Sequence, residues 1–226
     1  MYRLLRLFWV SLTAALVLGA PALLAKGKPH QTIVIGLDLS RSNPLVRDPR
    51  YAQKVAQRIG PIIKQLKPHD EVKIRTLGSY DSTEQVLHID EIVSVRTTPD
   101  DVAEVVQGVI AGVPTLIQRG TLKTQGSTHI LAFLDNMAQV VDCKNREATI
   151  ILASDGIEES EEASLTRERG QLPKPNGTPF AGCASLQILG LGVGAQNPQL
   201  TEHLREQWTA WAKEAGFESF EGLNDW

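Results

Sequence analysis

The stretch Thr32-Ile33-Val34-Ile35-Gly36-Leu37-Asp38-Leu39 constrains this chain more than any other. Successive side chains of a strand point to opposite faces. A strand that is apolar at nearly every position therefore has no face for water and belongs between two covering layers, as in a parallel sheet. Ala148-Thr149-Ile150-Ile151-Leu152-Ala153 reads the same way, and residues 185–193 predict a further strand that ends among Gly190, Gly192 and Gly194. Residues 71–77 alternate and predict a second strand, with residues 86–95 as its antiparallel partner.

Helical spacing separates these strands. Asp48 before Pro49 predicts an N-cap with proline at the first helical position. Ala52, Val55, Ile59, Ile62, Ile63 and Leu66 form one apolar face, with a kink or break expected at Gly60-Pro61. Pro99-Asp100-Asp101 opens a helix to about Gln107, continuing to Arg119 after an interruption at Gly112-Val113-Pro114. Gly126-Ser127-Thr128 starts the next, with Ile130, Leu134, Met137 and Val141 on its face. A last helix covers about 198–215, and 217–220 suggest a short edge strand. Strands alternating with helices of this length predict an α/β fold: a doubly wound, mostly parallel sheet with helices on both faces and one antiparallel edge strand. Ligands of such sheets sit at the carboxyl ends of the strands. Function is therefore sought in the loops after Leu39, Leu77, Ala153 and Val193.

The amino terminus reads differently. Arg3 and Arg6 precede an uncharged run from Leu7 to Ala25, and Lys26-Gly27-Lys28 follows. This is the pattern of a secretory signal peptide over residues 1–25, cleaved after about Ala25, with a single domain over 26–226. Later stretches are not apolar enough to span a bilayer, so no stable membrane insertion is expected after cleavage. A periplasmic destination is expected, with an extracellular one as the alternative.

Composition narrows the classes further. With 42% hydrophobic residues the chain is not disordered, and a formal charge of -3 gives no reason to expect nucleic-acid binding. Two cysteines are too few for a disulfide scaffold or a zinc cluster. In an exported protein they predict one bridge, Cys143–Cys183. Each precedes a predicted strand, which puts both at the amino edge of the sheet.

Three segments carry the chemistry. Asp38-Leu39-Ser40-Arg41-Ser42 leaves the first strand, Gly126-Ser127-Thr128 opens a helix, and Ser154-Asp155-Gly156 leaves a later buried strand. Carboxylates and hydroxyls form a hard, oxygen-only set that suits Mg²⁺, with Mn²⁺ and Ca²⁺ as alternatives, over Zn²⁺. Singly, each is as readily a turn or cap residue.

In this order and context, Asp38-x-Ser40-x-Ser42, Thr128 and Asp155-Gly156 resemble the von Willebrand factor type A domain and its metal-ion-dependent adhesion site. The resemblance covers about residues 30–222. It implies a doubly wound fold and a metal held by Asp38, Ser40, Ser42, Thr128 and Asp155. It further implies a protein partner whose Asp or Glu carboxylate completes the metal's shell. Ser127 stands where the family commonly has a second glycine, so either Ser127 or Thr128 can be the ligand at the helix start. No catalytic role is expected and no Ser/His/Asp arrangement stands out in the sequence. Two other readings stay open. One is a soluble periplasmic component of a secretion, conjugation or pilus system. The other is a metal-assisted phosphoester hydrolase with Asp38 as nucleophile, although Ser40 stands where such aspartyl phosphatases need a second aspartate. The acidic segment 158–162 reads as a solvated helix face, and Trp208 and Trp211 read as core.

Overall fold

A computed structural model describes residues 29–77, 87–167, 169–195 and 197–226. The expected signal peptide, residues 1–25, and residues 78–86 of the loop after Leu77 lie outside the described residues. The strands are β1 (Gln31–Asp38), β2 (Glu71–Leu77), β3 (His88–Ile92), β4 (Glu147–Ala153), β5 (Ser185–Leu189) and β6 (Ser219–Leu223). The helices are α1 (Pro49–Ile63), α2 (Pro99–Gln118), α3 (Ile130–Val140) and α4 (Pro198–Ala215). One sheet has the order β3-β2-β1-β4-β5-β6, with β3 antiparallel to β2 and the other pairs parallel. This is the α/β architecture that the alternation predicts. Among the described residues no helix is long and apolar enough to cross a membrane.

The apolar character of β1 follows from its two neighbours. Ile33, Ile35 and Leu37 pack into a core with α1 and α2, while Val34 faces α3 and α4. Trp208 and Trp211 are buried in the second core, as expected. At the amino edge Cys143 and Cys183 form a disulfide, with Cα atoms 4.7 Å apart, that joins the approaches to β4 and β5.

Both expected helix interruptions are absent. Helix α1 runs through Pro61 and α2 through Pro114. An internal proline removes a backbone donor and costs about 3 kcal/mol. In α1 the carbonyl that loses its donor belongs to exposed Gln57, which water reaches. Gln107 of α2 also donates to the Ala56 carbonyl at 3.2 Å and lies where a Cβ on Gly60 would be. In α2, Val102, Val106 and Ile110 before the expected break and Val113 within it are buried, and Leu116 and Ile117 beyond it pack against the same core. Burying each apolar side chain contributes about 1.5–3 kcal/mol, so packing outweighs the proline cost. Strand β5 stops at Leu189, four residues short of the expected end. Gly190 has φ +112°, which ends the ladder there, and any Cβ on it would collide with the Tyr51 hydroxyl.

The acidic segment forms no helix, contrary to expectation. It is irregular, and Glu158 is fully buried. Its Oε2 accepts from the Ile130 N–H at 2.7 Å and the Leu131 N–H at 3.1 Å. The N-cap of α3 is His129, whose side chain makes no cap bond, so a carboxylate distant in sequence caps this helix. Burial pushes the Glu158 carboxyl up to about 7. Glu158→Ala leaves two buried donors unpaired and is expected to destabilise the protein by about 2 kcal/mol. Urea unfolding at pH 8 measures this, and an unchanged midpoint would contradict the capping role.

Candidate metal centre

Strand order reverses between β1 and β4, which pair in parallel and whose next connections leave in opposite directions. The carboxyl ends of these two strands therefore open the crevice where doubly wound sheets bind ligands. Asp38 is the last residue of β1, and Asp155 lies two residues beyond β4. Side chains bind the two ends together where the ladder stops. Buried Asn43 donates from Nδ2 to the Asp38 carbonyl at 3.0 Å and to the Ala153 carbonyl at 2.9 Å.

The Asp38 carboxylate is fully buried. Its Oδ1 accepts from the Ser40 N–H at 2.8 Å, and its Oδ2 accepts from the Ser154 hydroxyl at 2.7 Å. Ser154 Oγ in turn accepts from the Gly156 N–H at 3.0 Å, so one hydroxyl orders both loops. The Ser40 and Ser42 hydroxyls lie 3.1 Å apart, Ser40 buried and Ser42 exposed.

Asp155 is 1% exposed. Its Oδ1 accepts from the Ile157 N–H at 2.9 Å, whereas its Oδ2 is buried with no hydrogen-bond partner. Burial, and then the charge of Asp38, push the Asp155 carboxyl up to about 7, against the lowering influence of the Ile157 N–H and then of Ser42. Burial also raises Asp38, while the Ser40 N–H and Ser154 hydroxyl pull it down. Tyr51 lies beside the same pair: burial and the charges of Asp155 and Asp38 raise its phenol.

The third segment is held between the other two by backbone. The Gln125 N–H donates to the Leu39 carbonyl at 2.9 Å, and the Arg41 N–H donates to the Gln125 carbonyl at 3.2 Å. Thr128 exchanges two backbone hydrogen bonds with Glu159, at 3.2 and 3.0 Å. Thr128 is 3% exposed and takes no part in capping α3. Ser127 is half-buried, and its hydroxyl lies 2.8 Å from His129 Nε2. Ser127 is thus already engaged. The Ser127–His129 contact was not legible as a pair in the sequence.

The structure therefore brings Asp38, Ser40, Ser42 and Asp155 to one crevice, with the backbone of Thr128 beside it. Sequence reasoning missed Asn43, Ser154 and Glu158. Their roles depend on contacts across 27 to 116 residues, and only the proximity of Ser154 to Asp155 signalled any of them. Among the described residues no three His, Cys, Asp or Glu side chains gather as a metal cluster. The set is instead two carboxylates with hydroxyls. Two buried carboxylates at close quarters, one with an unpartnered oxygen, fit a small hard cation.

No protein-family model matches the chain, and no curated protein sequence matches it. Solved structures do. The pilus adhesin SpaC from Lactobacillus rhamnosus GG aligns over 89% of this chain at 14% identity, with a TM-score of 0.50. The PilB minor pilin from Streptococcus sanguinis aligns over 88% at 11% identity and 0.49, covering 58% of that pilin. The ArnB paralog VWA2 from Sulfolobus acidocaldarius aligns over 88% at 16% identity and 0.39, covering 42% of that protein. Such identities show the fold alone. The chain spans 29% of the length of the pilus adhesin, with which it shares an α/β fold.

Proposed function

We propose that this chain is an exported, von Willebrand factor type A-like binding module. It holds a divalent cation, Mg²⁺ by the hardness of the donors, through Asp38, Ser40, Ser42, Thr128 and Asp155. An Asp or Glu carboxylate of a partner protein completes the metal's shell. The observation that carries this reading is the buried pair Asp38 and Asp155, with Asp155 Oδ2 unpartnered. Two carboxylates buried side by side stay ionised only if a cation offsets them. A divalent ion held by two carboxylates is left with no net charge, and neutral hydroxyl ligands leave its Lewis acidity largely unspent, so a further carboxylate is attracted.

A phosphoester hydrolase with Asp38 as nucleophile fits less well. Both Asp38 oxygens are held by hydrogen bonds and the side chain is fully buried, so it is not placed to attack a substrate phosphorus, whereas the lone pair that each oxygen keeps can still serve a small cation. The binding reading suits a soluble periplasmic component of a secretion, conjugation or pilus system, and the fold is one that a pilus adhesin also carries.

Thermal unfolding of the purified protein with Mg²⁺, Mn²⁺ or Ca²⁺ tests the site. A ligand of the folded state adds about 2.7 kcal/mol at a hundred times its dissociation constant. The midpoint is expected to rise and saturate for the natural chain and to stay flat for Asp38→Ala. No response to any of the three ions at pH 8 would overturn the proposal.

The same measurement has a pH signature. A carboxyl whose folded pKa is raised contributes stability that is present below its unfolded value near 4 and lost as pH rises through the folded value, about 7 for Asp155. Without metal, stability should therefore fall from pH 4 to 7. Bound cation requires the ionised forms, so the metal-induced rise should be larger at pH 8 than at pH 5. An equal rise at both values would place the ion elsewhere.

A further inference from the structure

Helix α2 buries one face against α1 and leaves the opposite face open. That face is a groove of about 770 Å³ lined by Asp101, Glu104, Val105, Gly108, Gly112 and Thr115, among others. At about 100° per residue, Asp101, Val105, Gly108, Gly112, Thr115 and Arg119 fall within about 40° of one line along the helix. Val105 stands out from this line, 45% exposed, one of four large exposed apolar side chains among the described residues. Gly108 and Gly112 form a notch, for a Cβ on either would meet nothing within 4 Å. Glycine is a poor helix former, and in an exposed face it lowers helix stability relative to alanine. Two glycines one turn apart allow another backbone to approach closely.

The stripe is complementary to itself when reversed. Laid antiparallel about a two-fold axis level with Ile110, Gly108 of one copy is opposite Gly112 of the other. Val105 is opposite Thr115, beside the notch, and Asp101 is opposite Arg119. Glu104, one turn on from Asp101, comes within reach of the same arginine. The acidic end of each helix thus meets the basic end of its partner. A parallel pairing would set like charges together. Isologous two-fold contacts of this kind require a patch that complements its own copy.

We infer that α2 is a self-association face: two copies of this chain pair antiparallel along it, with the Gly108–Gly112 notches facing each other and each Val105 against Thr115 of the other. A single helix pair lies at the small end of specific interfaces, so the dimer is weak, with a dissociation constant on the order of micromolar. The pairing does not depend on the metal-site reading. Its consequence does. Beyond α2 the chain reaches Gln125, which pairs with Ser40 at the carboxyl edge. The C-terminal end of α2 therefore points toward the metal centre, and antiparallel pairing sends the two centres to opposite ends of the dimer. A bivalent link between two partner molecules results.

Sedimentation equilibrium of the purified protein across micromolar to submillimolar concentration tests the inference. A monomer–dimer equilibrium is expected. Gly108→Leu and Gly112→Leu should each weaken it at least tenfold while leaving the unfolding midpoint equal or higher, since both sites are open and leucine favours helix. Glu104→Lys and Arg119→Glu should each weaken it severalfold, and the double variant should pair more tightly than Arg119→Glu alone but short of the natural chain, because Asp101 still opposes position 119. Monomer at every concentration would overturn the inference, as would a dimer indifferent to these changes.

Discussion

The buried carboxylate of Asp38 is the point on which the carboxyl edge of this sheet depends. It ends β1, accepts the Ser40 N–H that turns the chain, and accepts the Ser154 hydroxyl that orders the loop after β4. Taking an ionised carboxylate out of water costs several kcal/mol, and two neutral donors offset only part of that. A second carboxylate, Asp155, is buried in the same crevice and raises the cost for both. Asn43 then fixes the spacing by bridging the last carbonyls of β1 and β4. The crevice is geometrically stitched and electrostatically unfinished.

Much of this architecture was legible in residues alone. A strand apolar on both faces admits one kind of sheet, so β1 and β4 set the layer order before any coordinates. Asp48-Pro49 sets a helix start by local chemistry, and Asp48 is observed as the cap. Prolines misled, because their cost is local while the gain from packing α1 against α2 is spread over both helices. The end of β5 was misjudged because glycine permits a strand as readily as a turn, and only the observed φ at Gly190 decides. The ligand candidates in the sequence were those whose spacing is local, such as Asp38, Ser40 and Ser42. Asn43, Ser154 and Glu158 act through contacts that chain spacing does not encode.

Glu158 shows why charge runs mislead. In sequence it heads an acidic segment that suggests a wet surface. In the fold it supplies the cap that α3 lacks, because His129 offers none. A capping carboxylate gains from the helix dipole, which partly offsets its burial. The same arrangement leaves the Thr128 side chain out of capping, and the ladder between Thr128 and Glu159 holds that segment against the loop after β4. A residue three positions beyond Asp155 thus positions the third segment of the site.

The two edges of the sheet differ in how completely their polar groups are paired. At the amino edge Arg146 donates to Thr32 Oγ1 and to the carbonyls of Gln31 and His69, and Asp70 accepts from the Gln31 and Lys67 N–H groups. The disulfide closes the same edge. Among the described residues four buried side-chain atoms lack a partner. Three of them, on Gln125, Asp155 and Glu158, belong to the loops at the carboxyl edge; the fourth is the Trp226 indole N–H. Buried polar atoms without partners are rare in folded proteins because each costs about 1–3 kcal/mol. Their concentration in three loops, at the point where strand order reverses, is what a binding edge requires. The amino edge is satisfied within the chain, whereas the carboxyl edge keeps unpartnered oxygens, one of which the proposed cation would meet at Asp155.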